Sequence, residues 1–133
     1  MKPLVACSAG AAAYARDPQH YDFYGTRCVK DLKLDKMNLV DGYGALGLEL
    51  RFAPNKFKHD SGLMIRYVDL IGLSVNVSSE PTVEKKWPET HRLGDVQLDE
   101  IWPHEAGCSH EIVMTGGTIV VVSSDLTAEW LDV

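Results

Sequence analysis

The strongest constraint in this chain is a two-residue period. In GLELRF, Leu48, Leu50 and Phe52 fall on one side and Glu49 and Arg51 on the other; LMIRY repeats the pattern with Leu63, Ile65 and Tyr67 against Met64 and Arg66. Successive side chains of an extended chain point to opposite faces, so the alternation describes strands with one wet and one buried face. The same rhythm runs through CVKDLKLDKMNL, LIGLSVNV, VQLDEIW, HEIVMT, TIVVVSS and LTAEWL. APNKFKHDSG supplies turn-forming residues and joins GLELRF to LMIRY as a hairpin with a long basic loop. Gly116 and Gly117 join HEIVMT to TIVVVSS, and a Gly-Gly turn tolerates positive φ at both positions. Residues 96–124 therefore read as a three-stranded meander.

Hairpin-linked strands with one wet face must bury the other, which predicts a mainly β chain: an antiparallel β-sandwich or open barrel of about six to eight strands. One or two short helices at most fit beside them, SAGAAAYAR with its serine cap and SDLTAEWLDV starting at Asp125. A length of 133 residues with 45% hydrophobic and 24% charged residues matches one globular domain spanning 1–133. Residues 1–20 are expected to pack on it, and residues 78–94, SSEPTVEKKWPETHRLG, form an aperiodic connection longer than usual, with Trp87 as a possible partner anchor.

Several classes are excluded. No apolar run approaches the roughly 18 to 20 residues of a membrane-spanning helix. In MKPLVACSAGAAAYA the apolar stretch Leu4–Ala6 is too short for the core of an export signal. Cys7, Cys28 and Cys108 are odd in number and form no CxxC, which favours buried thiols in a reducing cytoplasm. GYGALG precedes a strand where a phosphate cradle would need a helix, so no nucleotide cofactor is expected.

The charge is unevenly spread. Arg92 is the last basic residue: residues 93–133 hold eight acids and no lysine or arginine, a local −8, while the first 92 residues carry 13 basic and 11 acidic groups, +2, giving −6 in all. An acidic surface built from Asp95, Asp99, Glu100, Glu105 and Glu111 would receive a basic protein and would repel nucleic acid.

The densest chemistry lies in WPHEAGCSHE, residues 102–111. His104, Cys108 and His110 are zinc-ligand types, but they match neither HExxH nor two closely spaced pairs. Cys108 with His110 is a nucleophile and base in prospect, provided both lie on one face. Val96, Leu98, Glu100 and Trp102 share a face if the alternation is unbroken, which puts Glu100 among apolar neighbours with His110 across the hairpin. A Glu100/His110 pair at the base of a polar hairpin is the expectation, with Glu100, Cys108 and His110 as the catalytic alternative.

Taken together, YDFYGTRCVKDLKLD, GLELRF, LMIRYVDLIGLSV and GDVQLDEIWPHEAGCSHEIVMTGGTIVVVSSDLTAEW resemble small bacterial β-sandwich immunity proteins of polymorphic toxin systems. The resemblance covers most of the chain past Tyr21. It implies a non-enzymatic inhibitor that binds a cognate toxin, with no fixed active-site residues to carry over.

Overall fold

Six strands carry the alternation: β1 (Lys33–Asp41), β2 (Leu46–Ala53), β3 (Gly62–Val77), β4 (Val96–His104), β5 (Gly107–Met114) and β6 (Gly117–Leu131). In the computed structural model they form one antiparallel sheet in the order β1-β2-β3-β6-β5-β4, preceded by a helix, α1 (Ala9–Arg16), and a 3-10 turn at Pro18–Tyr21. The structure describes residues 9–22, 24–42, 44–77 and 93–131; Cys7, Trp87 and most of the long 78–94 connection lie outside them. The fold is mostly β, with a single sheet in place of two stacked ones. No described helix is long and apolar enough to cross a membrane.

The sheet is staggered around two long central strands. β3 and β6 pair over their whole lengths, from Gly62↔Leu131 to Val77↔Gly117. The sequence reads LMIRY and LIGLSVNV as successive strands, yet they are one, bent where Asp69 takes φ 52° and where the register shifts between Leu70 and Gly72. The β1–β2 hairpin pairs with the first part of β3 only, and the β4–β5 hairpin with the first part of β6 only. Each central strand therefore has one flank that its hairpin leaves open.

The sheet curls until its first and last strands meet at one end. Asp31 N–H donates to Val96 O, Val96 N–H donates to Leu32 O, both at 2.8 Å, and Lys33 bridges Asp95. The remaining lengths of β1 and β4 stay apart, so the sheet does not close into a barrel. Leu48, Leu50, Phe52, Leu63, Ile65, Tyr67, Ile112, Ile119 and Val121 fill the inside of the curl, as the alternation predicts.

α1 packs on the flank of β6 that β5 leaves open. Asp125 caps a helix, but α1 and not its own segment: Ala11 N–H and Gly10 N–H donate to its two carboxylate oxygens at 2.9 and 3.2 Å. LTAEWL, the other candidate helix, stays in β6. Gly10 lies so close to the β6 backbone that a Cβ there would collide with the Leu126 carbonyl oxygen. The turn between β5 and β6 is Thr115–Gly116, and neither Gly116 nor Gly117 has positive φ. Gly117 is required for space instead, because its Cβ would strike Asn76 O of β3.

Two substitutions test this docking. Gly10→Ala, which intrinsic propensity alone favours by about 1 kcal/mol inside a helix, should destabilise the fold because the added methyl meets backbone. Asp125→Ala should cost about 1 to 2 kcal/mol through loss of the cap. Urea unfolding read by far-ultraviolet circular dichroism measures both, and an increase in stability for Gly10→Ala would contradict the packing.

Candidate functional site

The polar decapeptide splits between the two faces of the sheet, and one extra residue in β4 decides how. Val96 pairs with Met114 and Leu98 with Val113, so Gln97 is a bulge. A single inserted residue inverts the alternation that follows it. Asp99 and Ile101 consequently turn inward and are buried, while Leu98 and Trp102 are 49% and 40% exposed on the outer face. The expected Glu100/His110 pair does not form: Glu100 lies opposite Glu111 on the outer face, and the carboxylate that meets His110 is Asp99. An uninterrupted period of two could not have indicated this.

Asp99 anchors a closed network. His110 Nε2 lies 2.9 Å from Asp99 Oδ2, Tyr14 Oη donates to the same oxygen at 2.7 Å, and Tyr67 Oη lies 2.6 Å from His110 Nδ1. The hydrogen bonds fit an Nε2 proton on His110 that is donated to Asp99 and an Nδ1 that accepts from the Tyr67 hydroxyl. Burial first, then the Asp99 charge, push both phenols well above their usual value of 10.0, so Tyr14 and Tyr67 stay protonated donors. His20 continues the cluster, its Nδ1 at 3.0 Å from Tyr14 O and its ring 4.5 Å from the Tyr14 ring and 5.9 Å from that of Trp130. Trp130 Nε1 is the single described buried side-chain nitrogen or oxygen without a partner.

This network offers little access. His110 is fully buried and Asp99 is 7% exposed. A cavity of about 20 Å³ touches Asp99 from the side of His20, Tyr21 and Gln97, room for about one water. A larger recess of about 190 Å³ lies between Asp35, Arg51, Gly62 and Leu131, and neither the network residues nor those proposed for catalysis line it.

The remaining candidates separate. Cys108 shares the inner face with His110, as β5 is extended there, but both His110 nitrogens are already engaged and the Cys108 sulfur contacts Ser123 Oγ at 3.7 Å. His104 is exposed at the β4–β5 tip, where Ala106 N–H donates to its Nδ1 at 3.0 Å. His104, Cys108 and His110 thus do not converge, and among the described residues no three metal-ligating side chains do. Glu105 is exposed at the same tip.

The acidic set is broken up as well. Asp99 is internal, Asp95 is paired with Lys33 Nζ at 2.6 Å, Glu129 meets Arg66 at 3.1 Å and Asp125 caps α1. A five-residue patch with Asp95 and Asp99 in it is therefore not present; Glu100 and Glu111 remain as a directly opposed pair, with no ion pair to a described residue. Around them on the outer face stand Leu98, Trp102, Val113 and Val120, all at least partly exposed.

A second polar cluster has no sequence signal beyond its basic composition. Asn55 N–H donates to His59 Nδ1 at 3.1 Å, which leaves the Nε2 proton for Cys28 O at 2.9 Å, with Cys28 Sγ at 3.8 Å. Burial first, assisted by Lys58, lowers the His59 pKa, in keeping with a neutral ring. Lys58 and Lys30 hold Asp31, which has φ 74°; burial alone would raise that carboxyl, and the two ammonium groups lower it instead.

The chain matches no family model, no curated protein and no solved structure.

Two measurements check the network. Asp99→Leu leaves the His110 and Tyr14 donors buried without an acceptor and should cost about 1 to 3 kcal/mol for each, whereas Glu100→Gln should stay within about 0.5 kcal/mol. Equal costs would return the pairing to Glu100. The raised phenol pKa values add an alkaline limit. Their stabilisation is complete below the unfolded value near 10.0 and is lost as pH rises from there toward the higher folded values. The urea midpoint should fall steeply above about pH 10, and Tyr14→Phe/Tyr67→Phe should flatten that fall.

Proposed function

We propose that this chain is a non-enzymatic protein-binding domain of the immunity-inhibitor kind, which presents acidic and apolar surface to a basic partner such as a nucleic-acid-cutting toxin. The observation that supports this most is the Glu100–Glu111 pair on the outer face of β4 and β5. Like charges directly opposite each other on a sheet oppose folding, and here no described cation relieves them. A lysine or arginine from a partner would do so, and in a partly apolar surround the attraction is stronger than in open water.

Trp102 supplies the anchor in this reading, and Leu98, Val113 and Val120 the water-excluding margin. Trp102 takes the role that the sequence gives to Trp87, which falls outside the described residues. A basic groove that handles nucleic acid is the complementary surface, because it must carry the opposite charge to do its own work. The enclosed Tyr14–Asp99–His110–Tyr67 network supports a binding role over a catalytic one, since a base must come within hydrogen-bond reach of a substrate proton. Cys28 and Cys108 are both buried, in keeping with the thiol role and cytoplasmic location of our reading.

The reading makes stability and binding move in opposite directions. Glu100→Lys replaces a cross-strand repulsion with an attraction and should stabilise the fold by about 0.2 to 1 kcal/mol. The same substitution should abolish retention of basic proteins from the source organism by the immobilised domain, as should Trp102→Ala. Retention of the same proteins by Glu100→Lys, Trp102→Ala and the unaltered chain would overturn the assignment of this face.

A further inference from the structure

We propose that the open flank of β3 pairs with the same flank of a second copy, giving a two-fold symmetric dimer joined by antiparallel strand addition. β2 pairs with β3 only at Leu63–Tyr67, while β3 runs on to Val77 with β6 on one side. Among the described residues no strand lies on its other side. The sheet has a matching open flank on β6, and there α1 packs against the strand and is capped by it. The β3 flank has no such described cover.

The composition of this flank is unusual for an edge. Soluble sheets blunt their edges with charge, proline or bulges. Leu70–Val77 contains no charged residue and no proline. The flank opens at Val68, its first part holds Asp69 and the register shift at Ile71, and from Gly72 to Val77 the register against β6 is unbroken. Ile71 is 58% exposed, Leu73 36%, Val75 40% and Val77 67%. Leu73 and Val75 stand opposite buried Val121 and Ile119, so they belong to the core face of the sheet and carry it out to solvent.

Symmetry and charge select a second copy as the occupant. Directly opposed residues in an antiparallel pair share a face. A two-fold axis at Ser74 satisfies this for the whole stretch: Leu73 of each copy faces Val75 of the other on the core side, and Gly72 faces Asn76 on the outer side. Two core faces then merge into one apolar row. The formal charge of −6 repels copies elsewhere, but the nearest acid, Asp69, lies five residues from the axis and no like charges are set against each other. A strongly charged partner would find no complement here. Five residues from Gly72 to Asn76 lie in the regular part of the strand and pair in this register, a usual strand length.

Sedimentation of the full chain over a concentration series tests this directly. A reversible dimer is expected, twice the 14.7 kDa chain mass. Ser74 is exposed on the outer face, so Ser74→Lys should leave the fold intact, place two ammonium groups together at the axis and weaken the dimer at least about tenfold. An equal mixture of Ser74→Lys and Ser74→Glu should restore it. In a Cys7→Ser background, Ser74→Cys should cross-link under mild oxidation and Thr127→Cys on the opposite end of β6 should not. Amide exchange in the unaltered chain gives a readout free of any substitution, with protection of Gly72–Val77 rising with concentration. A monomer at every concentration overturns the proposal, as does a dimer indifferent to Ser74→Lys. Protection of these amides that does not change with concentration overturns it too, since the flank is then covered within one chain.

Discussion

Much of this architecture depends on the way Val96 is held. Its N–H and C=O are bound on one side by Leu32 and Asp31, and on the other it pairs with Met114 of β5. A residue fixed by two neighbours cannot rotate, so the strand that leaves it must absorb any mismatch between them. Gln97 absorbs it as a bulge, and everything beyond inverts. The buried acid becomes Asp99 and not Glu100, the hydrophobic pair turned to solvent becomes Leu98 and Trp102, and Glu100 meets Glu111. One contact between the ends of the sheet thus sets both the interior network and the exterior face.

The same contact explains the curl and the stagger. Joining the beginning of β1 to the beginning of β4 brings the two edges of a six-stranded sheet together at a corner. Each hairpin is displaced along its central strand, which leaves one flank of β6 and one of β3 with no described strand beside it. Backbone groups on such a flank need partners wherever water is excluded. On β6, α1 settles over the gap, and Asp125 offers its carboxylate to the first free N–H groups of the helix. Residues more than a hundred positions apart satisfy each other there, which makes the short alanine-rich helix stable in a way that its length alone does not allow.

The alternation made the strands legible because each residue reports its own face. Leu48, Leu50, Phe52, Leu63, Ile65 and Tyr67 are all buried as the two-residue period requires. The meander from 96 to 124 and the alanine-rich helix were equally readable. What the pattern could not carry was any event that changes its phase. Gln97 gives no local sign of being a bulge, and its consequence appears only where Asp99 reaches His110. Asp69 is similar, since an aspartate tolerates positive φ but does not announce it. Asp125 was recognisable as a cap, yet its helix is distant in sequence, so the choice between its own segment and α1 was invisible. The charge run in the final third misled for the same reason: the partners of Asp95 and Glu129, Lys33 and Arg66, come from the earlier part of the chain.

The interior network in turn protects the register that creates it. A buried Asp–His pair is weak support for stability in itself, because taking the Asp99 carboxylate out of water offsets most of what its hydrogen bonds contribute. Its effect on alternatives is stronger. A slip of β4 by one residue would carry Asp99 and Ile101 outward and turn Glu100 and Trp102 into the curl. Glu100 would then be buried beside Tyr14, with no guarantee of the geometry that Asp99 achieves at 2.7 and 2.9 Å. A slip of β5 would strip His110 from Tyr67 and place Glu111 inside, leaving an uncompensated charge in the core. Each misregister costs several buried hydrogen bonds at once, so the bulged arrangement is separated from its neighbours by a gap that apolar residues at these positions would not provide. The outward Glu100–Glu111 repulsion is tolerated on that account: it is the exposed side of a register fixed from within.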